Sequence, residues 1–317
     1  MEDAFRIVID THTAGDPMQD GVLWTNLTRG EIATGLAEEG FEVSVTVVDH
    51  LLELYHMGQR KPQKIKTMRH DPDRDAQFQQ IAALKEEYLG AGLPVISMDV
   101  KKREILGDFA RPGTVLSSAP LRAWDHDYAS HRLGVVIPHG IYDLARNEAY
   151  LHLGDSRETS EFAADALIDW WQRYGHERYP CAAEILLLCD GGGSNGSRRL
   201  TFKEQLQRVV DRIDCAIRVA HYPPGCSKYN AIEHRVFPHI TRTAKGVLLK
   251  SLEMYGALAR RAKTTTGLQV FARTMRGLYE KGKAAIVKSA DQLRILFDDH
   301  LPLWNYLVLP RPLWEVI

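Results

Sequence analysis

The chain has 317 residues, of which 44% are hydrophobic and 26% charged, with a formal net charge of −1. That composition describes a folded chain of two or three domains, and no apolar run reaches the roughly 18 residues of a membrane helix. Met1-Glu2-Asp3 lacks the basic opening of a signal peptide, so the expectation is a cytoplasmic protein with no membrane partner.

Four cysteines (Cys181, Cys189, Cys215, Cys226) show no C-x-x-C spacing, which fits reduced thiols. The histidines show neither H-E-x-x-H nor finger-like spacing, which argues against a zinc site. Near-neutrality hides an asymmetry. Residues 1–58 hold eleven acids against Arg6 and Arg29, residues 60–69 hold five bases and no acid, and the chain from Gly246 onward holds eleven bases and six acids. A polyanion partner is therefore expected at the middle and end of the chain.

In chain order, Leu27, Ile32 and Leu36 recur at near-helical spacing until Gly40. A second helix over 47–55 follows, suggesting a helix-turn-helix unit. Its second helix offers Asp49, His50 and Glu53 where a DNA-reading helix carries bases and amides, so packing or protein contact is the stronger expectation. Residues 59–72 read as a basic linker, and a helix over 73–89 shows Phe78, Ile81, Leu84 and Tyr88 on one face. The apolar run 93–98 is a buried strand reaching Asp99, and it is expected to continue through 104–107. Residues 110–131 have no period and read as an irregular insertion. Two strands, 135–142 and 149–153, turn at Arg146-Asn147, and Thr159 caps a helix to Tyr174. The apolar run 184–188 then reaches Cys189-Asp190 and the glycines Gly191, Gly192 and Gly193. A helix over 198–213, a strand over 216–221 and a helix over 229–240 carrying Glu233 complete this part. From Leu248 three helical segments are expected (248–261, 269–280, 289–297), then an aromatic, proline-rich tail from Leu301 to Trp314.

A three-strand meander followed by two crossover units is the order of a ribonuclease H-like α/β fold, a mixed sheet flanked by helices. The domains expected are an acidic helix-turn-helix-like region (1–58), a basic linker and helix (59–92), the ribonuclease H-like domain (93–245) and a helical C-terminal extension (246–317).

In that topology Asp99 and Asp190, at the ends of the first and fourth strands, emerge side by side, and Glu233 on the last helix closes the set. Three carboxylates suit two divalent cations, which phosphoryl transfer on a nucleic acid needs about 3.5–4 Å apart. Each acid also has a plain structural reading, as a strand-end cap, a turn former and a solvated helix residue. Their joint placement favours the metal site.

Four runs carry a family resemblance: S-M-D-V-K-K-R-E-I-L-G-D-F (97–109), H-G-I-Y-D-L-A-R-N-E (139–148), C-D-G-G-G-S-N-G-S-R (189–198) and H-Y-P-P-G-C-S-K-Y-N-A-I-E-H-R-V-F (221–237). They resemble the Rhodopirellula-type DDE transposase domain of the Azoarcus-type insertion sequences, over about residues 15–270. The resemblance implies that Asp99, Asp190 and Glu233 are the DDE triad. It implies two Mg²⁺ ions, with Mn²⁺ as substitute, in a bacterial enzyme that nicks DNA at element ends and joins the freed 3′-hydroxyl to target DNA. DNA is then the partner, and pairing of two ends implies a homo-oligomer on DNA. Lys101, Lys102, Gly192, Asn195, Arg198, Lys228 and Arg235 are the residues expected to meet DNA; Lys101 and Lys228 have solvated surface positions as the equal alternative.

The chain departs from the family at Cys226-Ser-Lys-Tyr-Asn-Ala231, where T-S-K-W-N-K is usual, and at 243–248, where N-W-R-G-K-P is usual. It also carries little sequence ahead of the helix-turn-helix, where family members carry more DNA-binding sequence. Two other functions therefore stand beside transposition: a repurposed metal-dependent DNA nuclease, and a non-catalytic DNA- or protein-binding module. ATP hydrolysis is poorly supported, since G-x-x-x-x-G-K-[ST] does not occur.

Overall fold

The computed structural model of the chain describes residues 1–10, 13–15, 23–60, 71–192 and 195–312. It divides into two compact units, Met1–Lys66 and Thr67–Ile317. The division falls within the predicted basic linker, whose residues 61–70 lie outside the described residues, as do Gly193, Ser194 and Trp314.

In the first unit three helices each bury one apolar face. α1 (Glu2–Asp10) contributes Phe5 and Ile9, α2 (Arg29–Glu38) Ile32 and Leu36, and α3 (Val45–Leu54) Val48 and Leu51. α2 begins with a capping box, Glu31 N–H donating to Thr28 Oγ1 at 3.3 Å and Thr28 N–H to Glu31 Oε2 at 2.6 Å. Gly40, at φ +88°, supplies the left-handed turn after it. α1 adds a third helix to the expected pair. A short antiparallel ladder joins β1 (Thr13–Gly15) to β2 (Leu23–Thr25).

The second unit opens with α4 (Arg74–Gly90), then β3 (Val95–Val100), β4 (Glu104–Leu106), β5 (Gly134–Asp143) and β6 (Glu148–Gly154). α5 (Ser160–Trp170), capped by Thr159, runs through a π-helical turn at Trp171–Gly175 into the short α6 (His176–Arg178). β7 (Glu184–Asp190), α7 (Leu200–Ile213), β8 (Ala216–Tyr222), α8 (Ala231–Arg235), α9 (Phe237–Thr243) and α10 (Leu252–Ala259) follow. Last come β9 (Gln269–Thr274), β10 (Ile295–Phe297) and β11 (Asn305–Val308).

The main sheet has the order β10-β11-β8-β7-β3-β5-β6-β9, with β4 paired to β5. β3, β5 and β6 form the antiparallel meander, while β7 and β8 join parallel to β3. β7 is buried from Ile185 to Cys189, as a central strand covered on both faces must be. On one face α5 and α7 pack Leu167, Trp170, Leu206 and Val209 against Ile96, Met98, Leu187 and Cys189. On the other, α4 sets Ile81, Leu84 and Tyr88 on Val95, Leu186 and Leu188, while Ile232, Phe237 and Tyr255 cover Tyr142 and Leu151.

The C-terminal region corrects the expectation of a helical extension. Only the first expected helix forms, as α10, capped by Ser251. The second begins as β9, which extends the sheet parallel to β6, with Phe271 stacked on Tyr150 at 5.1 Å. The third ends as β10, which with β11 extends the opposite edge against β8. Each strand is three to six residues long, and such edge pieces gain most from cross-strand partners far away in the chain. Two further expectations are refined. β3 stops at Val100 and β4 is a separate strand, and the helix expected over 229–240 breaks at Val236 into α8 and α9.

Candidate active site

The register of two central strands sets the site. Met98 of β3 pairs with Cys189 of the parallel β7, so the next residues, Asp99 and Asp190, stand beside one another at about one strand spacing, ~4.8 Å. Met98 and Cys189 point into the α5/α7 core; by the two-residue alternation of a strand, both aspartates point to the opposite face.

That face receives Glu233 from α8. Ser97 Oγ accepts the Ile232 N–H at 3.0 Å, and Asn230 Nδ2 donates to the Met98 carbonyl at 3.1 Å. Gly140 of β5 pairs with Asp99, and a Cβ there would lie 2.6 Å from Ile232 Cδ1 and 2.9 Å from Phe237 Cε1. Glycine at this position lets the Ile232 and Phe237 side chains pack directly on the β5 backbone, and any larger residue would displace them.

The electrostatics follow from burial and crowding. Burial pushes the Asp99 carboxyl up to about 8, followed by the charge of Asp190 and by the charge and hydrogen bond of Glu233, while the Val100 N–H pulls the other way. Asp190 is likewise raised by burial, then by the charges of Glu233 and Glu158, against the Gly192 N–H. Two part-buried carboxylates raised by burial and by acidic neighbours, with only backbone N–H groups opposing, are donors of the kind a hard cation suits. As placed, no three His, Cys, Asp or Glu side chains among the described residues form a metal-ligating group. Asp99, Asp190 and Glu233 are neighbours, and each is part-buried.

Behind Asp190 lies a buried polar network. His221, fully buried, faces the Asp190 carbonyl with Nδ1 at 3.1 Å and the Tyr306 hydroxyl with Nε2 at 3.0 Å. Burial pushes its imidazole down to about 4, so it is neutral at ordinary pH. The His221 carbonyl accepts from Gln77 Nε2 at 2.9 Å, and Gln77 exchanges amide hydrogen bonds with Asn305. β11 thus supports β8 and the end of β7 behind the site.

The residues expected to meet DNA divide into two groups. Lys102, Gly192, Arg198, Lys228 and Arg235 are exposed. Lys228 sits 5.1 Å from the Tyr229 ring, and Arg235 stands near Lys85, whose ammonium is pushed down by burial and by that arginine. Lys101 corrects the expectation of a surface phosphate contact: it is buried and ion-paired to Glu104, which also pairs Arg111. Asn195 is also buried. Asp143 is structural, accepting the Ala145 and Arg146 N–H groups at 3.0 and 3.1 Å and the Tyr179 hydroxyl at 2.7 Å. His126 and Asp125 lie exposed in the 110–131 insertion.

A cavity of about 710 Å³ opens beside Asp190. Gly191, Gly192, Arg198 and Arg199 line one side, Pro223 to Gly225 another, and Leu301 to Trp304 a third. Arg199 and this C-terminal wall were not among the expected site residues. Arg199 had the same adjacency to the glycine turn as Arg198, whereas nothing local ties Leu301 to Asp190.

A mixed sheet of this order, with acids at the ends of its first and fourth meander-and-crossover strands, defines a ribonuclease H-like domain. The chain belongs to the Rhodopirellula transposase DDE domain family, whose model matches residues 4–310. It is thus a member of a DDE transposase family. No curated protein sequence matches it. Among solved structures, a Mos1 transposase paired-end complex with left transposon end is similar at 12% identity and TM-score 0.45, covering 80% of this chain and 68% of that one. The Mos1 strand transfer complex is similar at 13% identity and TM-score 0.44, covering 80% and 67%. A Mos1 mariner paired-end complex with Mn is similar at 12% and 0.43, covering 76% and 73%. No helix among the described residues is long and apolar enough to cross a membrane.

Proposed function

We propose that this chain hydrolyses DNA at the ends of a mobile element and transfers the freed 3′-hydroxyl to target DNA, with Asp99, Asp190 and Glu233 holding two Mg²⁺ ions, for which Mn²⁺ substitutes. Held there, the ions would supply an activated attacking oxygen and neutralise charge on the leaving oxygen. The chain's own part is positioning. Lys102, Arg198, Lys228 and Arg235 hold backbone phosphates, and Gly192 lets a strand come close to Asp190. The protein works as a homo-oligomer on paired ends, in the bacterial cytoplasm.

The observation that carries this reading is the β3–β7 register, which sets Asp99 beside Asp190 on the face that α8 covers with Glu233. The test uses purified protein, Mg²⁺ and linear DNA bearing candidate terminal repeats. Cutting confined to the repeats, with covalent joining of the ends and loss of both steps in Asp190→Asn, is the expected result. Unspecific nicking favours a repurposed nuclease, and binding without cleavage a non-catalytic module.

A further inference from the structure

Glu233 stands on a helix of only five residues, and so short a helix has little stability of its own. The position of its carboxylate must be fixed from outside. Asn230 immediately precedes the helix and is fully buried, yet its side chain does not cap the helix. It turns to β3 instead, where Nδ2 donates to the Met98 carbonyl at 3.1 Å and Oδ1 accepts the Ser97 hydroxyl. Ser97 Oγ in turn accepts the Ile232 N–H at 3.0 Å, and the Asn230 carbonyl accepts the Glu233 N–H at 3.0 Å. Ser97 is fully buried as well. The chain of bonds runs from the peptide just before Asp99 to the peptide of Glu233 itself.

A buried amide and hydroxyl that use one another and adjacent main chain in this way are costly to place. They fix geometry more closely than apolar packing does. We infer that Ser97 and Asn230 are positioning residues that clamp the start of α8 to β3 and so set the spacing of Glu233 from Asp99. The clamp rests on the reading of these acids as metal ligands. Groups that orient metal ligands from behind typically cost about 10–100-fold in metal affinity when removed.

The test uses the full chain with Ser97→Ala, Asn230→Ala and Glu233→Gln. Mn²⁺ binding is followed by calorimetry and by the rise in melting temperature on adding Mn²⁺; DNA affinity is measured in chelator. A clamp predicts that Ser97→Ala and Asn230→Ala bind Mn²⁺ about 10-fold or more weakly, keep metal-free DNA affinity, and recover nicking at high metal concentration. A mere fold brace predicts a lower metal-free melting temperature with Mn²⁺ affinity within about twofold of the unaltered chain, and that result overturns the inference. Should Asn230→Ala not fold, Ser97→Ala alone tests the same bonds. If Glu233→Gln still nicks DNA, the triad reading fails and the clamp with it. If Glu233→Gln is inactive while both clamp variants bind Mn²⁺ normally, the clamp alone fails.

Discussion

Gly140 lies directly across the β3–β5 ladder from Asp99, and the Ile232 side chain occupies the space where a larger residue at 140 would stand. Gly140→Ala is expected to force α8 and α9 away from the sheet, since Ile232 and Phe237 both lie inside contact distance of the added carbon. Overpacking of this kind costs about 1–3 kcal/mol. Urea denaturation of the variant checks the loss, and nicking activity should fall with it.

The raised Asp99 carboxyl makes stability depend on pH with a definite sign. In the unfolded chain this group ionises near the ordinary value of about 4, whereas in the fold it holds its proton up to about 8. Between those values the folded state binds more protons, so metal-free stability falls as pH rises. Melting temperatures in chelator are expected to decline from pH 5 to pH 8, and Asp99→Asn should flatten that decline. A slope unchanged in Asp99→Asn would remove Asp99 as its source.

Divalent cation should reverse that loss. At pH 8, Mn²⁺ is expected to raise the melting temperature of the unaltered chain, because binding to the folded state alone stabilises it. Asp190→Asn, which removes one of the proposed ligands and the charge that crowds Asp99, is expected to be as stable or more stable without metal, with a much smaller Mn²⁺ response. Calorimetric melting with and without Mn²⁺ measures both effects.

Lysines on either side of one peptide bond should behave differently. Lys101 is buried against Glu104 while Lys102 is exposed. Removing one partner of a buried ion pair costs about 3–5 kcal/mol, so Glu104→Gln, which strands Lys101 and Arg111, should destabilise the fold on that scale. Lys102→Ala should leave stability unchanged and reduce the salt slope of DNA binding by about one phosphate's share. Denaturation curves and salt-dependent DNA affinity separate the two.

The parts of the site that were legible in the sequence are those carried by long local signals. The apolar runs ending in Asp99 and Asp190 declare buried strands, and the meander-then-crossover order fixes which strands are neighbours. Gly140 left a faint signal, a glycine within an apolar strand run, but its reason depends on Ile232, ninety-two residues later. Lys101 reads as a surface base because its partner Glu104 lies beyond the end of β3, and the two meet across the short break where β4 takes over from β3 in running antiparallel to β5. The C-terminal strands were unreadable for a similar reason: Tyr306 and Val308 are buried through their pairing with β8, while their own segment is too short for a period to declare itself. His221 and its Gln77–Asn305 support join residues 228 positions apart, and no local pattern announces such a bond.

The central claim is that Asp99, Asp190 and Glu233 together hold paired metal ions. Anomalous diffraction from crystals of the whole chain soaked in Mn²⁺ tests it most directly. Two peaks about 3.5–4 Å apart, each within bonding distance of at least one of these carboxylates and with Glu233 among the ligands, are the predicted result. Peaks confined to other acids, or none beside Asp99 and Asp190 at saturating Mn²⁺, would contradict it.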